Sequence, residues 1–304
     1  MEGKADVFIA DASDRISGLN SILAEYDLSV FSGAKVALKA NYNSDDAFPA
    51  STHIDTLRGI AEAVLREKPA SITLAERSGM GNTRSVLEFR GVMDLAKDLG
   101  LSVIVLDEID RTGWQEVQSA GLHWSHGFFI SKLFTQSDRV IQTCCIKTHR
   151  YGGHFTMSLK NSVGLVAKRV PGVNYDFMGE LHNSPHQRKM IAEINKFYTP
   201  DLVIMDATDG FSTGGPDTGK LIHPNVIIGG NDRVAIDAVG IALLRSYGTS
   251  HDVREGKIFG LEQIARAAEL DIGIFSADQI NLVPLDNSAK NVAGKIQDQL
   301  DKDK

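Results

Sequence analysis

Cysteine is almost missing from this chain: 304 residues hold two, Cys144 and Cys145, and they are neighbours. That excludes a disulfide scaffold and leaves too few thiolates for a four-cysteine iron–sulfur cluster. A reducing cytoplasm is the natural expectation, with both thiols buried and inert inside an apolar strand. No run approaches the roughly 18 apolar residues that cross a bilayer, so no membrane partner is expected. The start, MEGKADVFIAD, carries early acids and only a short apolar run, so no leader peptide is expected either. Cations are in deficit: formal net charge is −7, which argues against nucleic acid, whose phosphates demand a broad basic face. Internal repeats and low-complexity linkers are absent too.

What is present is the pattern of a packed α/β protein. Apolar runs VFIAD (7–11), KVALKA (35–40), SITLAE (71–76), LSVIVLDE (101–108), RVIQTCCI (139–146), DLVIMDATDG (201–210) and NVIIGG (225–230) read as strands. Helical patterns lie between and after them, at 13–28, 52–68, up to Leu99, 232–248, 259–270 and 287–304. In 52–68 the residues Ile54, Leu57, Ile60, Ala61, Val64 and Leu65 share one face. Continuous apolar strands alternating with helices predict a mostly parallel sheet flanked by helices. The whole of 1–304 is expected to form a single α/β unit, with a helical region at 249–304. A long irregular Gly/His-rich insertion is expected around 147–186.

In such sheets ligands bind beyond the carboxyl ends of the strands. Asn41, Glu76-Arg77, Lys147-Thr148-His149 and Asp206 to Gly210 all follow apolar strands and are expected to meet there. The distribution of charge adds to this. Between Arg139 and Tyr175 the acidic chain has six Lys or Arg and no carboxylate. Such cations repel unless carboxylates from elsewhere or an anionic ligand neutralise them. Lys147 and Lys160 are therefore candidates for holding a small carboxylate or phosphate, with Asn41, Asn161, Asp209 and the Gly214, Gly215, Gly219 turn as further ligand-binding positions. That turn, GGPDTGK, departs from a nucleotide P-loop because Leu221 stands where Ser or Thr would hold Mg²⁺. His149 is a candidate proton-transfer group, since histidine titrates near neutrality, and Asp206 a candidate to orient it. If a metal is present, His149, His182, His186 and Asp206 are its candidate ligands. Pro185 interrupts any helix that would align His182 with His186. His123, His126, His223 and His251 read as structural or surface residues.

Lys147-Thr148-His149 followed by Ser158-Leu159-Lys160-Asn161 and Gly164-Leu165 resembles the signature of the domain-of-unknown-function 362 family. Asp206 to Gly210 with Gly214-Gly215-Pro216 and Gly219 is similar to its glycine turn. Asn231 to Ala238 is similar to a helix start of that family. The likeness spans about 33–248. Many relatives carry a ferredoxin-type iron–sulfur module, which the resemblance implies as a redox connection and which this chain lacks the cysteines to hold. A weaker likeness is to lactate racemase-type proteins. His149, Gly152-Gly153, Lys160 and His182 occur in the order of that family's site, after a loop ending in Ser78-Gly79-Met80-Gly81. The lysine of that family holds a nickel-pincer cofactor derived from nicotinate.

Three functions are thus expected in competition. The first is an enzyme acting on a small anion, with His149, Lys160 and Asp206 as its chemistry. The second is a non-catalytic ligand-binding or redox-accessory protein working with a redox partner protein. The third is a metal-dependent racemase- or isomerase-like enzyme.

Overall fold

The apolar runs become strands, and the computed structural model, which describes residues 3–303, joins most of them in one sheet. In chain order the strands are β1 (Ala5–Asp11), β2 (Lys35–Lys39), β3 (Ser71–Glu76), β4 (Ser102–Val105), β5 (Trp114–Val117) and β6 (Phe128–Ser131). There follow β7 (Arg139–His149), β8 (His154–Thr156), β9 (Leu202–Thr213), β10 (Lys220–Ile222), β11 (Val226–Gly230) and β12 (Ile280–Pro284). The main sheet runs β12-β1-β11-β9-β7-β2-β3-β4, with β8 added to β7 and β10 to β9, while β5 and β6 form a separate pair. From β9 through β7, β2 and β3 to β4 every neighbour is parallel. β11 is antiparallel to both β9 and β1. The expected mostly parallel sheet flanked by helices is therefore the fold.

The helices cover the sheet for the reason their spacing predicts. Ile54–Arg66 buries Leu57, Ile60, Ala63 and Val64 in a core cluster shared with Val36 and Leu38 of β2 and Ile72 and Leu74 of β3. Arg233–Ser246 is apolar nearly all round and is buried over most of its length in the second core cluster. A third cluster gathers Trp124, Phe128, Leu165, Phe177 and Met190 beside β6. Among the described residues no helix is long and apolar enough to cross a membrane.

Two expectations change. The segment 147–186 is not one irregular insertion. It contains the end of β7, β8, the helix Ser158–Asn161, a 3₁₀ turn Ser162–Leu165 and the helix Phe177–Asn183. Short elements of three to seven residues give too little periodicity to be read from sequence. The C-terminal stretch is helical but also supplies β12, which pairs parallel with β1. Lys304, the expected end of the last helix, lies outside the described residues.

The feature of β9 that matters most for the site is a bulge. Cys145 of β7 faces Asp206, yet the next residue, Ile146, faces Gly210. Residues 207–209 are thus extra, and beyond the bulge β9 exchanges its partner β11 for β10. Gly210 is required there, because a Cβ would stand 2.6 Å from Ile146 Cγ2 and 2.7 Å from its carbonyl oxygen.

Candidate functional site

The ends of β2, β3 and β7 meet at a cavity lined in part by Lys39, Asn41, Glu76, Arg77, Lys147 and His149. The hairpin from β7 into β8 places Thr156 opposite Lys147 and His154 opposite His149. Lys160, Asn161 and Gly164 close a second side, and Pro216 and Asp217 of the glycine turn a third. The cavity, open to solvent on one side, holds about 50 Å³. That is room for a few waters or one small anion, far below the roughly 300–1,000 Å³ of pockets for drug-sized ligands.

The floor is an ion pair. Lys39 Nζ donates to both oxygens of Glu76, at 2.7 and 2.8 Å, and to Asn161 Oδ1 at 3.0 Å. Glu76 also accepts from the backbone N–H groups of Tyr42 and Arg77. Burial pulls the Lys39 ammonium below its ordinary pKa while Glu76 opposes the shift. Gly164 fits over this pair without a side chain; its Cβ would be 2.9 Å from Lys39 Nζ and 2.8 Å from Glu76 Oε1.

Lys147 is equally buried but meets no carboxylate. Its three protons go to Asn41 Oδ1 at 2.7 Å and to the carbonyl oxygens of Pro49 and Ala50 at 2.9 Å. It lines the cavity as a fixed positive charge with no donor to spare, so it ties the loop after β2 to β7.

Lys160 is different. It is half-buried, and no hydrogen bond or ion pair holds its ammonium among the described residues. Desolvation, Arg77 and Lys147 push its pKa down to about 8. Beside it stands His149, whose Nδ1 is buried without a protein partner. Burial first, then the charge of Lys160, drives that imidazole down to about 2, so it is neutral at physiological pH. The two side chains crowd Gly153: its Cβ would stand 2.8 Å from Lys160 Cε and 2.9 Å from His149 Nδ1. Three more polar atoms of lining residues lack protein partners, Thr156 Oγ1, Arg77 Nε and the carboxylate oxygen Asp217 Oδ1. Arg77 is buried, donates from Nη2 to the Val163 carbonyl, and is lowered in pKa chiefly by burial.

The acid-free segment is thereby resolved charge by charge. Arg139 pairs with Asp201, Arg150 with Asp217 and Lys168 with Asp107, all from outside it. Arg169 is exposed. Lys147 takes neutral oxygens, and Lys160 takes nothing.

Other expected site residues lie elsewhere. Asp206 does not line the cavity. It is bonded to Arg15 Nε, Thr56 Oγ1, and the N–H and hydroxyl of Thr208. Asp209 pairs with His223 at 2.6 Å. His186 stacks on His123, which binds Glu193. His182 remains electrically close to Lys160 and His149, but is exposed and bonds the Met178 carbonyl through Nδ1. Among the described residues no three His, Cys, Asp or Glu side chains converge as metal ligands, because Asp206 and His186 are engaged apart from His149. Gly214, Gly215 and Gly219 shape the turn: Gly215 N donates to Thr148 Oγ1, and a Cβ there would lie 2.3 Å from the Thr148 carbonyl oxygen. Both cysteine thiols are free and buried, and burial raises their pKa.

Arg77 is expected at the cavity through the Glu76-Arg77 pair that follows β3, though not as a ligand-binding position, and Thr156 is absent from the sequence-based site. The one signal for Arg77 is a second charge directly after Glu76 at the end of an apolar strand. Nothing in the sequence around Thr156 marks β8.

The segment carrying Lys160 is positioned from a distance. Asp237 accepts from the N–H of Ser158 at 2.7 Å and of Leu159 at 3.1 Å. On the same helix Asp232 caps the first turn, and Arg233 donates to Asn195 and to the Tyr198 carbonyl.

The sequence matches the family described as Domain of unknown function (DUF362) over residues 36–242. No curated protein matches. Among solved structures the lactate racemase apoprotein from Thermoanaerobacterium thermosaccharolyticum is similar at 15% identity and a TM-score of 0.48, over 78% of this chain. The chain spans 56% of that protein's length.

Proposed function

The chain belongs to the DUF362 family, and from that premise we propose that it is an enzyme that binds a small carboxylate or phosphate between β2, β3, β7 and β8. Lys160 exchanges a proton with the bound group, and the neutral imidazole of His149 hydrogen-bonds it. The observation that carries this reading is the convergence of Lys160 Nζ, His149 Nδ1, Thr156 Oγ1 and Arg77 Nε in one cavity with no protein partner for any of them. An unpaired buried polar atom costs about 1–3 kcal/mol, and a bound anion supplies the missing acceptors for the donors. Arg77, Lys147 and Lys160 are also three cations on the lining without a directly bonded carboxylate, which an anion would neutralise.

Within the pair the roles divide by protonation. Lys160, near 8, loses and regains its proton around neutral pH, the condition for efficient proton transfer. His149 stays a neutral imidazole and hydrogen-bonds the ligand. An anion between them raises both pKa values, because negative charge favours the protonated forms. Two free, buried cysteines fit a reducing compartment, the cytoplasm.

Thermal unfolding in the presence of phosphate, acetate, lactate and malonate at pH 7 tests the binding. A small anion should raise the midpoint with its concentration, and no response to any of them overturns the reading. Exchange of the ligand's α-proton with D₂O, lost in Lys160→Met, then separates an enzyme from a protein that only binds.

A further inference from the structure

Lys160 differs chemically from the other cations of the cavity. Lys39 and Lys147 each give their protons to oxygen acceptors, so their lone pairs are unavailable. An arginine stays charged at any physiological pH. Lys160 alone has an unengaged nitrogen, cations on two sides and no carboxylate near enough to bind it. This is the environment in which a lysine becomes a neutral nucleophile. With its pKa near 8, the share of neutral amine at pH 7.5 is roughly two hundredfold that of an ordinary lysine. Beside it the bare Nδ1 of His149 approaches the same point above Gly153.

We propose that Lys160 forms an imine with the carbonyl carbon of a small 2-oxo acid, whose carboxylate is held by Arg77 and the fixed charge of Lys147. This deepens the anion-binding reading and rests on it. In the step, the neutral Nζ attacks the carbonyl carbon and the carbonyl oxygen takes a proton, giving a carbinolamine. The hydroxyl then leaves as water, after Nζ has lost a proton and the hydroxyl has gained one, with His149 passing the proton between them. Amine and oxo acid become imine and one water, and no oxidant or reductant enters. Thr156 Oγ1, also without a partner, lines the cavity where the carbonyl oxygen or the departing water requires a hydrogen bond.

The test is reductive trapping on the wild-type protein. The chain is incubated with pyruvate or glyoxylate and cyanoborohydride at pH 7.5, and its intact mass and peptides are measured. The expected result is one reduced adduct per chain, on Lys160, formed faster than with acetaldehyde, which has the carbonyl but no carboxylate. Adducts spread over exposed lysines, or no adduct, overturn the imine. In that case binding of acetate or lactate in the thermal assay shows whether the anion site itself survives. Equal trapping by acetaldehyde overturns the assignment to an oxo acid. As a second measurement, Lys160→Arg, which keeps the charge but has no primary amine, should abolish the adduct in a chain whose circular dichroism shows it folded; an adduct of the same yield in that variant overturns the assignment to Lys160.

Discussion

Replacing Lys160 with methionine should stabilise the folded chain at pH 7 while weakening its anion binding. The structure gives the magnitude. The ammonium is drawn down from 10.5 to about 8 by burial and by Arg77 and Lys147. At 1.36 kcal/mol for each tenfold change in protonation, the cost of keeping it charged is at most about 3.4 kcal/mol. The side chain is half-buried rather than fully enclosed, so water screens part of this and about 1–2 kcal/mol remains. The sign follows from proton binding. Between about pH 8 and pH 10.5 the unfolded chain holds the lysine proton and the folded chain has released it. Wild-type stability from this group therefore rises with pH across that window, and the penalty is present in full below it. Lys160→Met should show a higher urea midpoint than wild type at pH 7 and an unchanged slope, with the gap closing toward pH 10. Equal stability at pH 7, with parallel pH profiles, would refute the claim that an uncompensated charge sits in the cavity.

Three other substitutions probe the surroundings. Gly153→Ala places a methyl against Lys160 and His149; anion affinity should fall about tenfold, the effect of roughly 1.4 kcal/mol, in calorimetry, with circular dichroism unchanged. Glu76→Gln leaves the buried Lys39 ammonium without its counter-charge, and chemical denaturation should show a loss of about 3–5 kcal/mol. Asp237→Asn weakens the grip on the Ser158 and Leu159 N–H groups. Because it touches the backbone that carries Lys160 and not the cavity, it should lower anion affinity and shift the pH dependence of binding, whereas a purely structural role would alter stability alone.

Much of the sheet was legible because its strands are buried on both faces and read as apolar runs. SITLAE coincides with β3, and RVIQTCCI with the first two thirds of β7. The convergence of the β2, β3 and β7 ends was legible too, since Lys39, Glu76 and Lys147 are charges that terminate such runs. The aspartates show where this logic fails. Asp206 also ends an apolar run, but the bulge after it and Arg15, far off in sequence, decide its partners. Lys147 and Lys160 look alike as sequence. Only the loop carbonyls at Pro49 and Ala50 reveal that one is saturated. The Asn231 to Ala238 motif was visible as a pattern, whereas its purpose, three polar side chains each reaching a distant backbone, required the packed structure.

Calorimetric titration of wild type and Lys160→Met at pH 7 with phosphate and with lactate tests the central claim most directly. The account predicts one anion bound per wild-type chain and a loss of about 1–3 kcal/mol in the variant, the scale of a charge-assisted hydrogen bond left unmade. Binding of equal strength in both proteins, or no heat in either, would contradict it.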